Sequence, residues 1–435
     1  MTTSTIHESP LSTETGRQIR DGVLALVPQI RAAAREGEKL GCLPPATLNA
    51  LAELDVFRLS IPEKFGGLAL GARDLAEIIL AVARADGSAG WQTMISSGFT
   101  RVVLTFPEET VAEVFEKTKT WEGPIVASAS LFSDRIQRAT KVPGGHVVAA
   151  GGKWGFGSGS KHAAHMVVGV GVEQPDGGFD RLAVLLDKGQ YEIVDDWHVM
   201  GLSGSSSNSV TITEDVFVPD SRVVPLAELT DRLDAVRTKY EGLGLSMDAR
   251  GLMIIVTLET MGIAVGMAEG AFDCFLEQTR NKKPFTLDYP SLQETPGTQI
   301  VAGKVRSMIN AARELVLAKA DVIDRKAQAG EPFTAAEETA LQMDFVYAGN
   351  LAGQAIEQIQ FAIGSATVAL SNPIQRYARD VRVALTHGSN RLDPSAELAG
   401  RDIFGVSKAT GGMAGTPGVQ KANERTPVLA GAGKD

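Results

Sequence analysis

Cysteine is almost missing from this chain: Cys42 and Cys274 stand far apart, with no CxxC spacing, among 435 residues. That argues against a disulfide framework or a structural zinc site, and a reducing cytoplasm is the expected compartment. Positive charge is not in excess either. A formal net charge of −10 favours solubility and lacks the basic footprint that bulk nucleic-acid binding needs. No apolar run reaches the length of a membrane span, and the longest, residues 251–257, reads as buried helix. Residues 1–16 are polar and rich in Ser and Thr, without the apolar centre of a signal peptide.

Several motifs with a known mechanism are also missing. There is no GxGxxG between a strand and a helix and no GxxxxGK[ST], so neither a dinucleotide fold nor a P-loop is expected. His162 and His165 lie three apart, but no HExxH or acidic cluster accompanies them, and a metal site is not expected. Gly204-Ser205-Ser206-Ser207-Asn208 lacks the second glycine of a nucleophile elbow, which argues against hydrolase chemistry.

What is present is ordinary globular composition, 44% hydrophobic and 22% charged. Helical spacing of apolar residues runs through 17–37, 44–55, 74–86 and 107–119. From 125 to 224 the chain turns rich in Val, Gly, Ser and Thr. Short runs at 146–150, 166–172, 182–186, 191–194 and 210–218 predict an antiparallel β unit, with a turn at 176–178. Helical spacing returns through 261–280, 303–329, 335–363 and 374–386, and beyond 405 the residues become those of a mobile tail, as in 410–415. Helices, then strands, then helices indicate an α+β fold. The expected boundaries are 1–122 for a helical domain with a disordered start, 123–226 for a β-barrel domain, 227–404 for a four-helix bundle and 405–435 for the tail.

Three elements carry candidate chemistry. On a regular strand, Trp154, Phe156 and Ser158 would face one side, giving two apolar walls and a hydroxyl; a sheet burying two aromatics reads the same way. Residues 197–207 run into a series of small side chains, among them Ser205 and Ser207, whose hydroxyls and backbone N–H groups suit a cofactor's polar edge or phosphate. Asn372-Pro373 predicts a helix start, and the helix closes on Thr386-His387-Gly388, where His387 either satisfies the helix dipole or acts chemically.

The order of these elements resembles the acyl-CoA dehydrogenase superfamily over roughly residues 17–405. The matching stretches are 59–68 (LSIPEKFGGL), 86–91 (DGSAGW), 153–159 (KWGFGSG), 197–202 (WHVMGL), 215–219 (DVFVP) and 373–380 (PIQRYARD). Within it the chain looks most like the oxygenase components of two-component, reduced-flavin-dependent monooxygenases, of the 4-hydroxyphenylacetate and steroid-ring hydroxylase kind. True dehydrogenases carry a glutamate base in the turn after the last Arg-Asp pair; here that turn holds His387 and no carboxylate. The resemblance implies reduced FMN or FAD from a separate NAD(P)H:flavin reductase, O2 as co-substrate and a C4a-hydroperoxyflavin that oxygenates a small aromatic molecule. It implies Ser158 near flavin N5, His387 beside it, Trp154 and Phe156 as dry walls, and Arg280 and Phe285 reaching a neighbour's flavin in a homotetramer.

The substrate pocket falls on Trp91, Phe99, Arg101 and Ser128. Phenol-hydroxylating relatives have histidine in the segment corresponding to 96–103, and this chain has none; Arg382 also replaces a family histidine. N-oxygenation of an amine or amino-sugar, or S-oxygenation, therefore stays open. So do an acyl-CoA dehydrogenase with its base elsewhere and a non-catalytic protein. Arg101 would favour an anionic substrate if it points inward, and would mean nothing on a helix surface.

Overall fold

The structure, a computed structural model, describes residues 9–133, 135–175 and 177–406. The expected disordered start at 1–8 and Gly-rich segment at 410–415 lie outside the described residues, as does Asp176 of the expected turn.

Five helices come first: α1 (Glu14–Leu40), α2 (Pro45–Ala52), α3 (Ala72–Ala85), α4 (Gly87–Val103) and α5 (Glu108–Lys117). Helical spacing alone does not reveal α4. Its Gly87, Gly90, Gly98 and three serines weaken helix propensity, but the Asp86 carboxylate accepts from Ala89 N–H at 3.2 Å and caps it. Burial of most of its residues then outweighs propensity.

Ten strands follow: β1 (Val126–Ala129), β2 (Gln137–Val142), β3 (Gly145–Val148), β4 (Lys153–Gly157), β5 (His165–Glu173), β6 (Phe179–Asp187), β7 (Glu192–Ile193), β8 (Asn208–Thr211), β9 (Val216–Pro219) and β10 (Val223–Pro225). They form a seven-stranded sheet ordered β10-β6-β5-β2-β3-β9, with β1 also on β5, and a three-stranded sheet β4-β8-β7. A purely antiparallel unit is not what forms. β1 pairs parallel to β5 at Val126↔His165, and β2 pairs parallel to it further along, at Gln137↔Val170. Two short strands thus share one edge of the long β5, an arrangement to which alternation is blind because it records faces and not direction. Trp154 from the small sheet and Val168 and Val184 from the large one share a single core.

The chain ends in α6 (Leu229–Lys239), α7 (Ala249–Asn281), α8 (Pro296–Ala329), α9 (Ala335–Ile363), α10 (Pro373–Thr386) and α11 (Leu392–Phe404). The expectation that no segment could span a bilayer needs correction. α7 is long and apolar enough, but 89% of its most apolar window is buried by the surrounding protein, so it is the central helix of the larger core.

Gly262, Gly266 and Gly270 recur every four residues along α7 and let α3 approach. A Cβ on Gly266 would sit 2.3 Å from the Leu80 carbonyl oxygen, and one on Gly270 2.3 Å from that of Arg84. The sheets are fastened to the first helices by Arg222, which bonds Asp187 at 2.8 Å and Glu113 of α5 at 3.0 Å.

The stripe gives a paired prediction. At Gly262 the nearest neighbour of an added Cβ is Ile79, at an ordinary 3.7 Å. Gly262→Ala should therefore match wild type or exceed it by up to about 1 kcal/mol. Gly266→Ala must push α3 away and should lose about 1–3 kcal/mol. Denaturant unfolding of the two variants checks the contrast.

Candidate active site

α10 is the element that brings the candidate residues together. Asn372 caps it, accepting from Ile374 N–H at 3.0 Å, with Pro373 at its first position as predicted. The buried Tyr377 hydroxyl lies 2.7 Å from the Arg84 carbonyl and 2.9 Å from that of Ala85, and accepts from Arg31 Nε at 3.0 Å. One turn on, the Asp380 carboxylate accepts from Leu202 N–H at 2.6 Å. A single helix face thus grips the α3–α4 junction and the serine loop. Gly201 has to be glycine for this contact, since its Cβ would lie 2.5 Å from the Arg379 backbone.

The loop so held is tightly bent. Leu202 and Ser206 both adopt left-handed conformations at φ 53°, costly for side-chain-bearing residues and persistent only where surroundings fix them. Gln92 Nε2 of α4 donates to the Gly204 carbonyl at 2.9 Å, and Gly159 N–H to that of Ser205 at 2.9 Å. The result is a row of hydroxyls: Ser205 Oγ lies 2.7 Å from Ser207 Oγ, which lies 2.8 Å from Ser158 Oγ. Ser158 Oγ also accepts from the Trp91 indole N–H at 3.1 Å. The other side of Trp91 meets His387 edge-to-face at 5.8 Å between ring centroids. Trp91 therefore stands between the two residues expected to flank a cofactor.

His387 Nδ1 is 2.8 Å from Ser389 Oγ, and its Nε2 has no bonded partner among the described residues. Its outer edge is open to solvent, while protein crowding its other sides disfavours the imidazolium and lowers its pKa. That direction favours the neutral ring.

Three expectations need correction. Trp154, Phe156 and Ser158 do not share a face, because the β4–β8 register shifts between Trp154 and Gly157 and Phe156 is left-handed at φ 57°. Trp154 is 1% exposed, its N–H given to the Gly169 carbonyl at 2.7 Å, so it belongs to the sheet core and cannot line a cofactor. Phe156 instead turns outward, 75% exposed, with its ring against Trp197. Arg101 does point inward, but to Glu259 of α7, at 3.1 and 3.2 Å, with Ser60 and Ser97 completing a buried network. Its charge is already paired and is not available to an anionic substrate.

Ser128 is buried and forms a backbone bridge with Ser158. Ile95, Gly98 and Phe99 make the partly exposed strip of α4 beside it, and Ile95 packs on both cores. Arg280 and Phe285 lie exposed at and beyond the far end of α7. That end is tied to the start of α10 through Gln278 and Asn372, roughly 20 Å along the helix from His387. They do not serve the pocket of their own chain. Gln92 and Glu259 are absent from the expected set. A lone carboxylate inside the apolar run of α7 was the available sign for Glu259, since such a group is rarely buried without a partner; nothing comparable marked Gln92.

The Asp380 carboxyl sets a pH dependence. Burial first, and then neighbouring Asp86, push it from 3.8 up to about 7. A carboxyl raised in the folded state stabilises the fold at low pH and loses that contribution as pH climbs through its folded pKa. Asp380→Asn keeps an acceptor for Leu202 without the charge. Its melting temperature relative to wild type should therefore rise from about pH 4 to about pH 7; a constant offset over that window contradicts the assignment.

Two family models match the chain: the N-terminal domain of acyl-CoA dehydrogenase over residues 13–115 and its C-terminal domain over 260–391. A pigment production hydroxylase of a Rhodococcus species is 26% identical over 399 residues, covering 89% of this chain and 96% of its own. The flavin-dependent monooxygenase oxygenase subunit HsaA of Rhodococcus jostii is 28% identical over 385 residues, covering 88% and 97%. Among solved structures, XiaF from a Streptomyces species, in complex with FADH2 and glycerol, matches with a TM-score of 0.82 at 23% identity over 92% of this chain and 98% of that one.

Proposed function

The chain belongs to the acyl-CoA dehydrogenase superfamily, and from that premise we propose that it is the oxygenase component of a two-component flavin-dependent monooxygenase that hydroxylates a small aromatic substrate. The observation that carries the reading is the closing turn of α10, where His387, not a carboxylate, meets Trp91 beside Ser158. Glu259, the buried carboxylate on α7, accepts from both terminal Arg101 nitrogens and from Ser97 at 2.6 Å, so it is engaged and not poised to abstract a substrate proton. Glu259 therefore does not supply the base that the dehydrogenase alternative needs.

The residues around Trp91 fit a flavin. The Ser158 hydroxyl and the unpartnered His387 Nε2 suit the heteroatom edge of the ring, Ser205 and Ser207 back Ser158, and outward-facing Phe156 offers an apolar surface to its plane. Reduced FMN or FAD, when bound, supplies the electrons that activate O2. The protein's share is to hold hydrogen bonds at the ring edge and to keep water out. Partly exposed Ile95 and Phe99, with buried Ser128, line the substrate side.

The reductant comes from a separate NAD(P)H:flavin reductase, in keeping with the absence of a dinucleotide motif and with HsaA being named an oxygenase subunit. Both cysteines are free, which suits the cytoplasm. We assign a homotetramer, since Phe285, Phe361, Ile403 and Phe404 expose an apolar surface on the C-terminal helices. In it Arg280 and Phe285 reach a neighbour's flavin. Sedimentation of wild type should give a tetramer, and Phe404→Asp a smaller species; a monomeric wild type contradicts the assembly.

The decisive experiment is anaerobic titration with reduced FMN and FAD, followed by mixing with 18O2 and a panel of phenols and indoles. Binding with transfer of one labelled oxygen atom is expected. Failure of the protein to bind either reduced flavin would sink the proposal. His387→Ala, losing about 1–2 kcal/mol of hydrogen bonding, should lower product per flavin oxidised roughly tenfold and release the difference as H2O2.

A further inference from the structure

The three serines behind Trp91 do more than fill space. Ser158, Ser205 and Ser207 are all buried, Ser205 completely. Charged groups are absent from its hydrogen-bond partners among the described residues. The oxygens are held by the backbone: Leu202 N–H on Asp380, Gly204 on Gln92, and Ser206 gripped through its carbonyl by Ser160 Oγ at 2.8 Å. Positions are fixed. On that backbone frame the serine hydroxyls can reorient.

An indole N–H can only donate, so Trp91 permanently occupies one acceptor site of Ser158 Oγ. Each serine has a single hydrogen, and Ser207 lies between two hydroxyls. It can donate to one neighbour only, which leaves the row two concerted arrangements. In the outward one, Ser205 donates to Ser207 and Ser207 to Ser158, so the Ser158 hydrogen is offered to a ligand acceptor. In the inward one, Ser158 donates to Ser207 and Ser207 to Ser205, so Ser158 is left to accept from a ligand N–H. The inward arrangement needs an acceptor at the inner end of the row. Gln92 is the candidate: its side chain is wholly buried and its Nε2 is on Gly204 beside Ser205, while its Oε1 has no partner, Ser205 included, so the inward arrangement also requires the Ser205 hydroxyl to turn toward it.

We propose that Ser158, Ser207 and Ser205, closed at the inner end by Gln92, form a reversible hydroxyl relay that lets Ser158 serve as donor to an oxidised flavin and as acceptor from the N–H of a reduced one. The inference rests on the flavin reading above. Ser158 is the residue that touches the cofactor; Ser207 and Ser205 are positioning residues that decide which way its hydrogen points. The device suits a protein that receives a reduced ring and releases an oxidised one, because the same oxygen meets N–H on arrival and bare N on departure. A fixed donor would satisfy only the second state. With the relay, neither state leaves a buried hydrogen unpaired.

Ser207→Ala separates the two states. The variant Ser158 can still donate to oxidised flavin while accepting from Trp91. Facing reduced flavin, it accepts twice and its own hydrogen has nowhere to go. Dissociation constants for FMN and FAD in both redox states should therefore split. We expect the reduced form to bind roughly tenfold or more weakly and the oxidised form to stay within about twofold of wild type. The bound flavin's two-electron midpoint potential then falls by about 30 mV for each tenfold change in the ratio. Ser207→Thr, which retains the hydroxyl, should restore the wild-type ratio, and the unchanged affinity for oxidised flavin shows that the variant is folded. Equal weakening of both forms, or no change in either, overturns the relay while leaving the flavin site intact. Wild-type protein that binds neither form overturns both.

Discussion

One face of α10 holds this molecule in register. Tyr377 and Asp380, a turn apart, satisfy backbone groups from two otherwise separate parts of the chain: the carbonyls that end α3 and the N–H that opens the serine loop. Buried backbone groups of this kind are costly when unpaired, so the helix cannot shift without exposing both. Because His387 closes the same helix and Trp91 follows the Asp86 cap that begins α4, the clamp fixes the distance between them. The pocket follows from packing that is remote from its own surface.

The clamp carries a tension of its own. Asp86 and Asp380 are both buried, both raised above the ordinary carboxylate range by burial, and both near Arg376, whose Nε is 3.9 Å from Asp86 and without a hydrogen-bond partner. The cation is close enough to moderate the two acids and too far to form a tight pair with Asp86. Positioning here depends on hydrogen bonds to backbone more than on charge.

Much of the fold was legible. Long helices announced themselves by spacing, and the change to Val, Gly and Thr after residue 125 marked the sheets. α4 stayed hidden because its small residues answer to close packing and not to propensity. The sequence marked His387 and Ser158 as candidates from their motifs, but not that Trp91 would stand between them. Trp154 misled for a definite reason: alternation predicts a common face only while the register is unbroken, and a left-handed Phe156 breaks it. Arg101 misled because a sequence does not reveal that its partner lies on a helix 158 residues away.

The Arg101–Glu259 pair has one more consequence. With Arg101 and Glu259 buried and paired, the partly exposed strip of α4 at Ile95, Gly98 and Phe99 carries no charged side chain. An ionised ligand pressing on it would find no counter-ion and would have to shed its hydration without recompense. A wall without a counter-ion favours a neutral group over its anion.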